Sequence, residues 1–195
     1  MSAGPIALFG PGGEPLRGLA LALAEAGHPL GLATLAPVQA EEFATASIAN
    51  ELWVLGEDHL HRVLDAADPA AASAFLAELE DRFGPLAAVV VDPGPLPDIP
   101  FDEFSPDEWL PAARARLAAP LVALHAAAPL LERRGGGTAA LIRRQPPRAA
   151  AGAVLAAALD ALPQALAAEL AGRQLRTVAL DVSTGPVELL SALRS

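Results

Sequence analysis

Few residues in this chain could do proton chemistry. It has 195 residues, with 23 carboxylates, four histidines and 13 basic side chains, every one of them arginine; cysteine, tyrosine and lysine are absent. That inventory excludes a phenolic acid–base group, a Schiff-base amine, a thiolate nucleophile, a disulfide and a cysteine-ligated metal. Arginine replaces none of these, because a guanidinium stays charged near neutral pH. His59 and His61 flank Leu60, just after Glu57 and Asp58. On extended chain such a pair shares a face and could bind a metal, but no third ligand is specified, so a solvated loop is expected and no metal. His125 lies in an apolar helical run and reads as a core or interface histidine. Asp181, Ser183 and a histidine have the residue types of a triad without a nucleophile-elbow motif. Arg133-Arg134 and Arg143-Arg144 could attract an anion, an acidic partner or a phosphate. The first pair otherwise compensates a helix dipole, and the second is solvated charge. The remaining candidate is backbone: Gly10-Pro11-Gly12-Gly13 either cradles a phosphate with its N–H groups or simply makes a tight strand–helix turn.

These groups need a scaffold, and the chain alternates short apolar runs with helical segments. Strands are expected at residues 5–9, 30–35, 62–64, 87–91, 139–142 and 175–182. Helices are expected at 16–26, 40–55, 69–83, 106–134 and 149–171, and a short one after 187. Asp68-Pro69 and Ser105-Pro106 carry cap-then-proline start signals. The pattern predicts one domain over 1–195, a Rossmann-like doubly wound parallel sheet in a three-layer α/β/α arrangement. The composition is 53% hydrophobic and only 4% aromatic, so the core must be built from Ala, Leu and Val.

A net charge of −10 and a pI near 4.7 argue against a nucleic-acid partner. The first residues lack a signal-peptide pattern, and the apolar run 117–131 is too short to span a bilayer and holds Pro120, His125 and Pro129. A cytoplasmic protein without a membrane role is expected. Leu117, Leu121, Leu124, Ala128 and Leu131 share one helical face; Leu155, Leu159, Leu162, Leu166 and Leu170 share another.

Three segments carry a family resemblance. Residues 65–94 (DAADPAAASAFLAELEDRFGPLAAVVVDPG), 97–109 (PDIPFDEFSPDEW) and 165–180 (ALAAELAGRQLRTVAL) resemble, in order and spacing, the short-chain dehydrogenase/reductase family from residue 5 to about 187. The resemblance implies an NAD(P)-binding oxidoreductase fold. Cofactor contacts carried over by position are Gly10, Asp65 and Gly94; Gly12 and Gly13 lie off the family pattern and would cradle a phosphate through a shifted turn. The resemblance also implies a homodimer or tetramer through the helices around 107–134 and 149–171.

The chain departs from the family where chemistry would occur. Glu14 and Leu16 stand at two loop glycines, placing a carboxylate and an apolar side chain beside the pyrophosphate. No acid or arginine follows the second strand, where Thr34, Leu35 and Ala36 lie. The positions of the family's asparagine, serine, tyrosine and lysine are held by Arg116, Arg144, Gly152 and Ala156. Ser183-Thr184-Gly185-Pro186 resembles the family turn beside the nicotinamide, and about ten residues after it leave no sequence for a substrate lid. The expectation is a non-catalytic member with no cofactor or weak NAD(P) binding, acting as an oligomer or beside an active paralogue. The alternative is an atypical NAD(P)-dependent oxidoreductase using Asp92, Ser183 or a bound water.

Overall fold

Four-residue runs such as Ile-Ala-Leu-Phe are too short to form helices and apolar on both faces, as strands buried between two helix layers must be. In the computed structural model, which describes residues 4–181 with Val187, Leu190 and Ser191, they form a six-stranded sheet. The strands are β1 (Ile6–Phe9), β2 (Leu30–Ala33), β3 (His59–Arg62), β4 (Ala88–Val91), β5 (Gly137–Ile142) and β6 (Leu175–Leu180). All pairings are parallel, in the order β3-β2-β1-β4-β5-β6. The strand order reverses between β1 and β4, the switch point of a doubly wound sheet.

The helices are α1 (Leu16–Glu25), α2 (Gln39–Leu55), α3 (Pro69–Phe83), α4 (Pro106–Ala113), α5 (Ala119–Arg133) and α6 (Ala150–Glu169). Strand alternation sends Ile6 and Leu8 into one core with Leu19 and Leu23 of α1 and Ile48 and Leu52 of α2. Ala7 and Phe9 go to the other, against Phe75 and Leu79 of α3, Leu124 of α5 and Leu159 of α6. Phe9 meets Phe75 edge-on at 5.3 Å between centroids. Asp68 caps α3 by accepting the Ala70 N–H at 2.9 Å.

Several expectations need correction. The third strand is 59–62, not 62–64: only Leu60 is buried, while His59 and His61 are half-buried on the sheet's outer strand, so these histidines are strand residues and not a solvated loop. The helix expected from 106 to 134 is interrupted by a π-helical turn at Arg114–Ala118, and Ser105 makes no side-chain cap bond. On α5 the buried stripe is Pro120, Ala123, Leu124, Ala127 and Leu131, which turns Leu121 and His125 outward. His125 is therefore exposed, which removes the core reading and leaves the interface one. α6 is long and apolar enough, by length and composition, to cross a membrane, with mean hydropathy 1.5 over an 18-residue window of its 20 residues. Its Leu155, Leu159 and Leu162 are buried in this fold. Ser183 and the turn at 183–186 lie outside the described residues.

Candidate functional site

In a doubly wound sheet, ligands meet the carboxyl ends of the strands at the switch point. Here β1 ends in Gly10, whose N–H donates to Ala33 O, and β4 ends in Asp92, whose N–H donates to Phe9 O. A side chain on Gly10 would strike Leu16 and Asp92. Leu16 is itself fully buried among Ile6, Leu8 and Leu19. The expectation that Leu16 crowds a cofactor is thus corrected: as the first residue of α1 it points into the core, where an apolar side chain belongs.

Gly12 and Gly13 take left-handed backbone, with φ of +80° and +69°, which suits glycine. Their turn delivers Glu14 to the amino end of α1. The Glu14 carboxylate accepts the Gly18 N–H at 3.2 Å and meets Arg17 at 3.4 Å. Arg17 in turn forks onto Glu51 of α2, with Nε to Oε1 at 2.8 Å. The hydrogen bond and charge of Glu51, then Glu14, push the guanidinium further up its already high range; the Arg17 bond, only partly offset by desolvation, holds Glu51 below the usual carboxylate value.

Two buried ion pairs lie deeper. Glu41, near the start of α2 and 4% exposed, accepts the N–H groups of Leu35 and Ala36 at 2.9 Å each and Arg116 Nη1 at 3.0 Å. Arg116 also donates to Pro93 O at 3.2 Å. Arg116 lies in the π-helical turn, a distortion frequent at functional sites. Asp92 is fully buried; its Oδ1 accepts Gly94 N–H at 2.8 Å and Arg144 Nε at 2.8 Å, while Oδ2 takes Arg144 Nη2. Arg144 is therefore no solvated charge: β5 ends beside an uncompensated carboxylate and the arginine turns inward to meet it. Neither pair has a local signal in the sequence; the partners stand 75 and 52 positions apart.

The wall beside Asp92 is closed by backbone. A Cβ added to Gly152 would lie 3.2 Å from the Pro97 carbonyl carbon, with the Pro97 oxygen and Pro147 Cγ nearer still. Asp98 holds this contact in place by accepting the Ala149 N–H at 2.8 Å, just before α6. Ala156, one turn on, is buried. Asp65 closes an Asx turn onto Ala67 N and pairs with Arg114 at 2.7 Å. At this edge Glu41, Asp92, Arg116 and Arg144 are all charge-paired. His59 and His61 lie apart on β3. His61 meets Thr45 Oγ1 at 2.9 Å, and burial, then the charges of His59 and Arg62, hold its pKa below the ordinary value, against a smaller opposing effect of Glu42. Among the described residues no group of three or more His, Asp or Glu could hold a metal ion.

A second concavity lies between α5 and α6, of about 670 Å³, lined by Leu121, Leu124, Leu166 and Leu170, with His125, Glu132, Glu169 and Arg173 at its polar positions.

Comparison with known proteins places this geometry. Residues 16–194 match the family model described as enoyl-(acyl carrier protein) reductase. A 3-ketoacyl-ACP reductase from Sinorhizobium meliloti is 29% identical, with TM-score 0.75, over 91% of this chain and 71% of that one. A gluconate 5-dehydrogenase from Burkholderia cenocepacia, solved with NADP and tartrate, is 26% identical with TM-score 0.72, over 92% and 71%. A short-chain dehydrogenase from Rhodopseudomonas palustris, at 21% identity and TM-score 0.80 over 97% and 89%, shares the fold. No curated protein sequence matches the chain.

Proposed function

The chain belongs to the enoyl-(acyl carrier protein) reductase family of short-chain dehydrogenases/reductases, and from that premise we propose that it is a non-catalytic cytoplasmic member. It acts as an oligomeric or partner-binding module, with weak or absent nucleotide binding. One observation carries this reading: Gly152, which stands where the family's tyrosine would, is covered by the Pro97 carbonyl and Pro147, leaving no volume for any side chain. The neighbouring position is Ala156, and Arg116 and Arg144 are tied into ion pairs. General acid–base catalysis needs a titrating group within reach of substrate, and this wall supplies none. The outward faces of α5 and α6 support the oligomeric part, since Leu121 is 41% and Val154 63% exposed. Small alanines between them suit close helix approach by a second copy or an active paralogue.

The named relatives favour the second reading, an atypical NAD(P)-dependent oxidoreductase, better than the first, because they are reductases and dehydrogenases and one holds NADP. In that reading Gly10, Gly12, Gly13, Asp65 and Gly94 contact the cofactor. Asp92 or the undescribed Ser183 then takes the proton role. A thermal-shift series with NAD, NADH, NADP and NADPH separates the two. No stabilisation at millimolar cofactor supports the first reading, and a rise in midpoint with NADPH oxidation on a ketoacyl or enoyl thioester overturns it. Light scattering of the purified chain, alone and co-expressed with an active paralogue, checks the oligomer; a strict monomer in both settings removes the module role.

A further inference from the structure

At the switch point of a doubly wound sheet a dinucleotide lays its pyrophosphate on the amino-terminal amides of the helix that follows the first strand. In this chain the corresponding lane runs over the end of β1, between β2 and β4. We propose that the protein fills this lane with its own side chains, and that Glu14 is the residue that keeps a dinucleotide's phosphates out. The inference rests on the reading of weak or absent nucleotide binding and supplies its cause.

Three amides in the first turn of α1 already have partners. Arg17 N–H donates to Gly13 O at 2.8 Å, Leu19 N–H to Pro15 O at 3.1 Å, and Gly18 N–H to the Glu14 carboxylate at 3.2 Å. Glu14 thus puts a negative charge where a phosphate would sit, and the Arg17–Glu51 pair ties the same turn to α2. The next stretch of the lane is bridged. Glu41 is fixed to the amides just after β2, and Arg116 to the carbonyl just after β4, so their 3.0 Å ion pair passes over the end of β1. The glycine turn has settled onto its neighbours as well: Pro11 packs on Gly94, where a Cβ would come 2.6 Å from Pro11 Cγ, and Gly12 sits against Ala44 at the same spacing. Among the described residues, no buried polar side-chain atom is left without a partner. Built this way, the site does not fit a dinucleotide: its lane is bridged by an ion pair and its added charge has the wrong sign.

The test uses the full chain, NADP and inorganic pyrophosphate as probes, and calorimetric titration as the readout. Like charges about 4 Å apart at a protein surface are worth roughly tenfold or more in Kd. Glu14→Gly and the isosteric Glu14→Gln should each bind NADP and pyrophosphate at least about tenfold more tightly than the unaltered chain. Glu25→Gln, which removes an equal charge at the exposed far end of α1, should not. Glu14 is 65% exposed, so both variants should fold, which far-UV circular dichroism checks. If both bind no better than Glu25→Gln, the inference is overturned while the non-catalytic reading stands. If the unaltered chain binds NADP with micromolar Kd, the reading of weak binding falls, and the inference with it.

Discussion

Gly152→Ala tests the closed wall, because two physical effects pull its outcome in opposite directions. Gly152 lies inside α6, and replacing an interior helical glycine with alanine ordinarily stabilises by about 1 kcal/mol through lost unfolded-state freedom. Here the added methyl would lie 3.2 Å from the Pro97 carbonyl carbon and closer to the oxygen, where ordinary contact is 3.4–4 Å. A carbonyl cannot rotate away as a side chain can, and Asp98 pins the loop to α6. The steric cost should reach the upper end of overpacking, about 3 kcal/mol. The net is about 2 kcal/mol of destabilisation, or roughly 4–8 °C in Tm for a chain of this size. Gly18→Ala in α1 is the control: its methyl would meet the mobile Glu14 carboxylate at 3.1 Å, and it should be neutral or stabilise by up to about 1 kcal/mol. Urea titrations followed by tryptophan fluorescence, with thermal melts by circular dichroism, read both. A Gly152→Ala midpoint equal to or above that of the parent refutes the closed wall. It would also reopen the place where a catalytic side chain could stand.

Two other substitutions probe the electrostatics. Asp92→Ala strands Arg144, whose side chain is 17% exposed, and should cost about 3–5 kcal/mol. Glu78→Ala breaks only the half-exposed pair with Arg62 and should cost under about 1 kcal/mol; similar urea midpoints for the two would contradict the buried network. His61 is held below its ordinary pKa in the fold, chiefly by burial. The unfolded chain therefore takes up the proton first as pH falls below about 6.5, so stability is full above that value and declines beneath it. His61→Gln should flatten the loss as pH falls below about 6.5, measured as urea midpoints; an unchanged slope would assign that loss to other groups.

The sheet could be read from the sequence because its evidence is local: apolar runs of the right length, and Asp68-Pro69 starting a helix that the structure keeps. β3 was misplaced because a strand with one buried residue out of four barely differs from a loop. The exposure of Leu121 is not legible because alanines, which carry little hydrophobic signal, share the buried stripe of α5 with Pro120, Leu124 and Leu131. The site was only half legible. The replacements at 116, 144, 152 and 156 stand in the sequence, but where they go does not. Arg116 and Arg144 find their carboxylates across many tens of residues, and Pro97 reaches Gly152 only through the loop after β4. The self-capping of α1 does have a local signal: Glu14 is a carboxylate four positions before the helical amide of Gly18.

Every ion pair among the described residues is built on guanidinium. Cysteine, tyrosine and lysine, whose ordinary pKa values fall at about 8.5 to 10.4, are missing from the chain. From about pH 8.5 to about pH 12 no side chain of ordinary pKa has a proton to exchange, folded or unfolded. With no difference in proton uptake, folding free energy loses its pH slope across that alkaline span. The molecule should therefore behave there as an object of fixed charge, its electrophoretic mobility and urea midpoint level from pH 9 to pH 11, where lysine-stapled proteins begin to lose their cations.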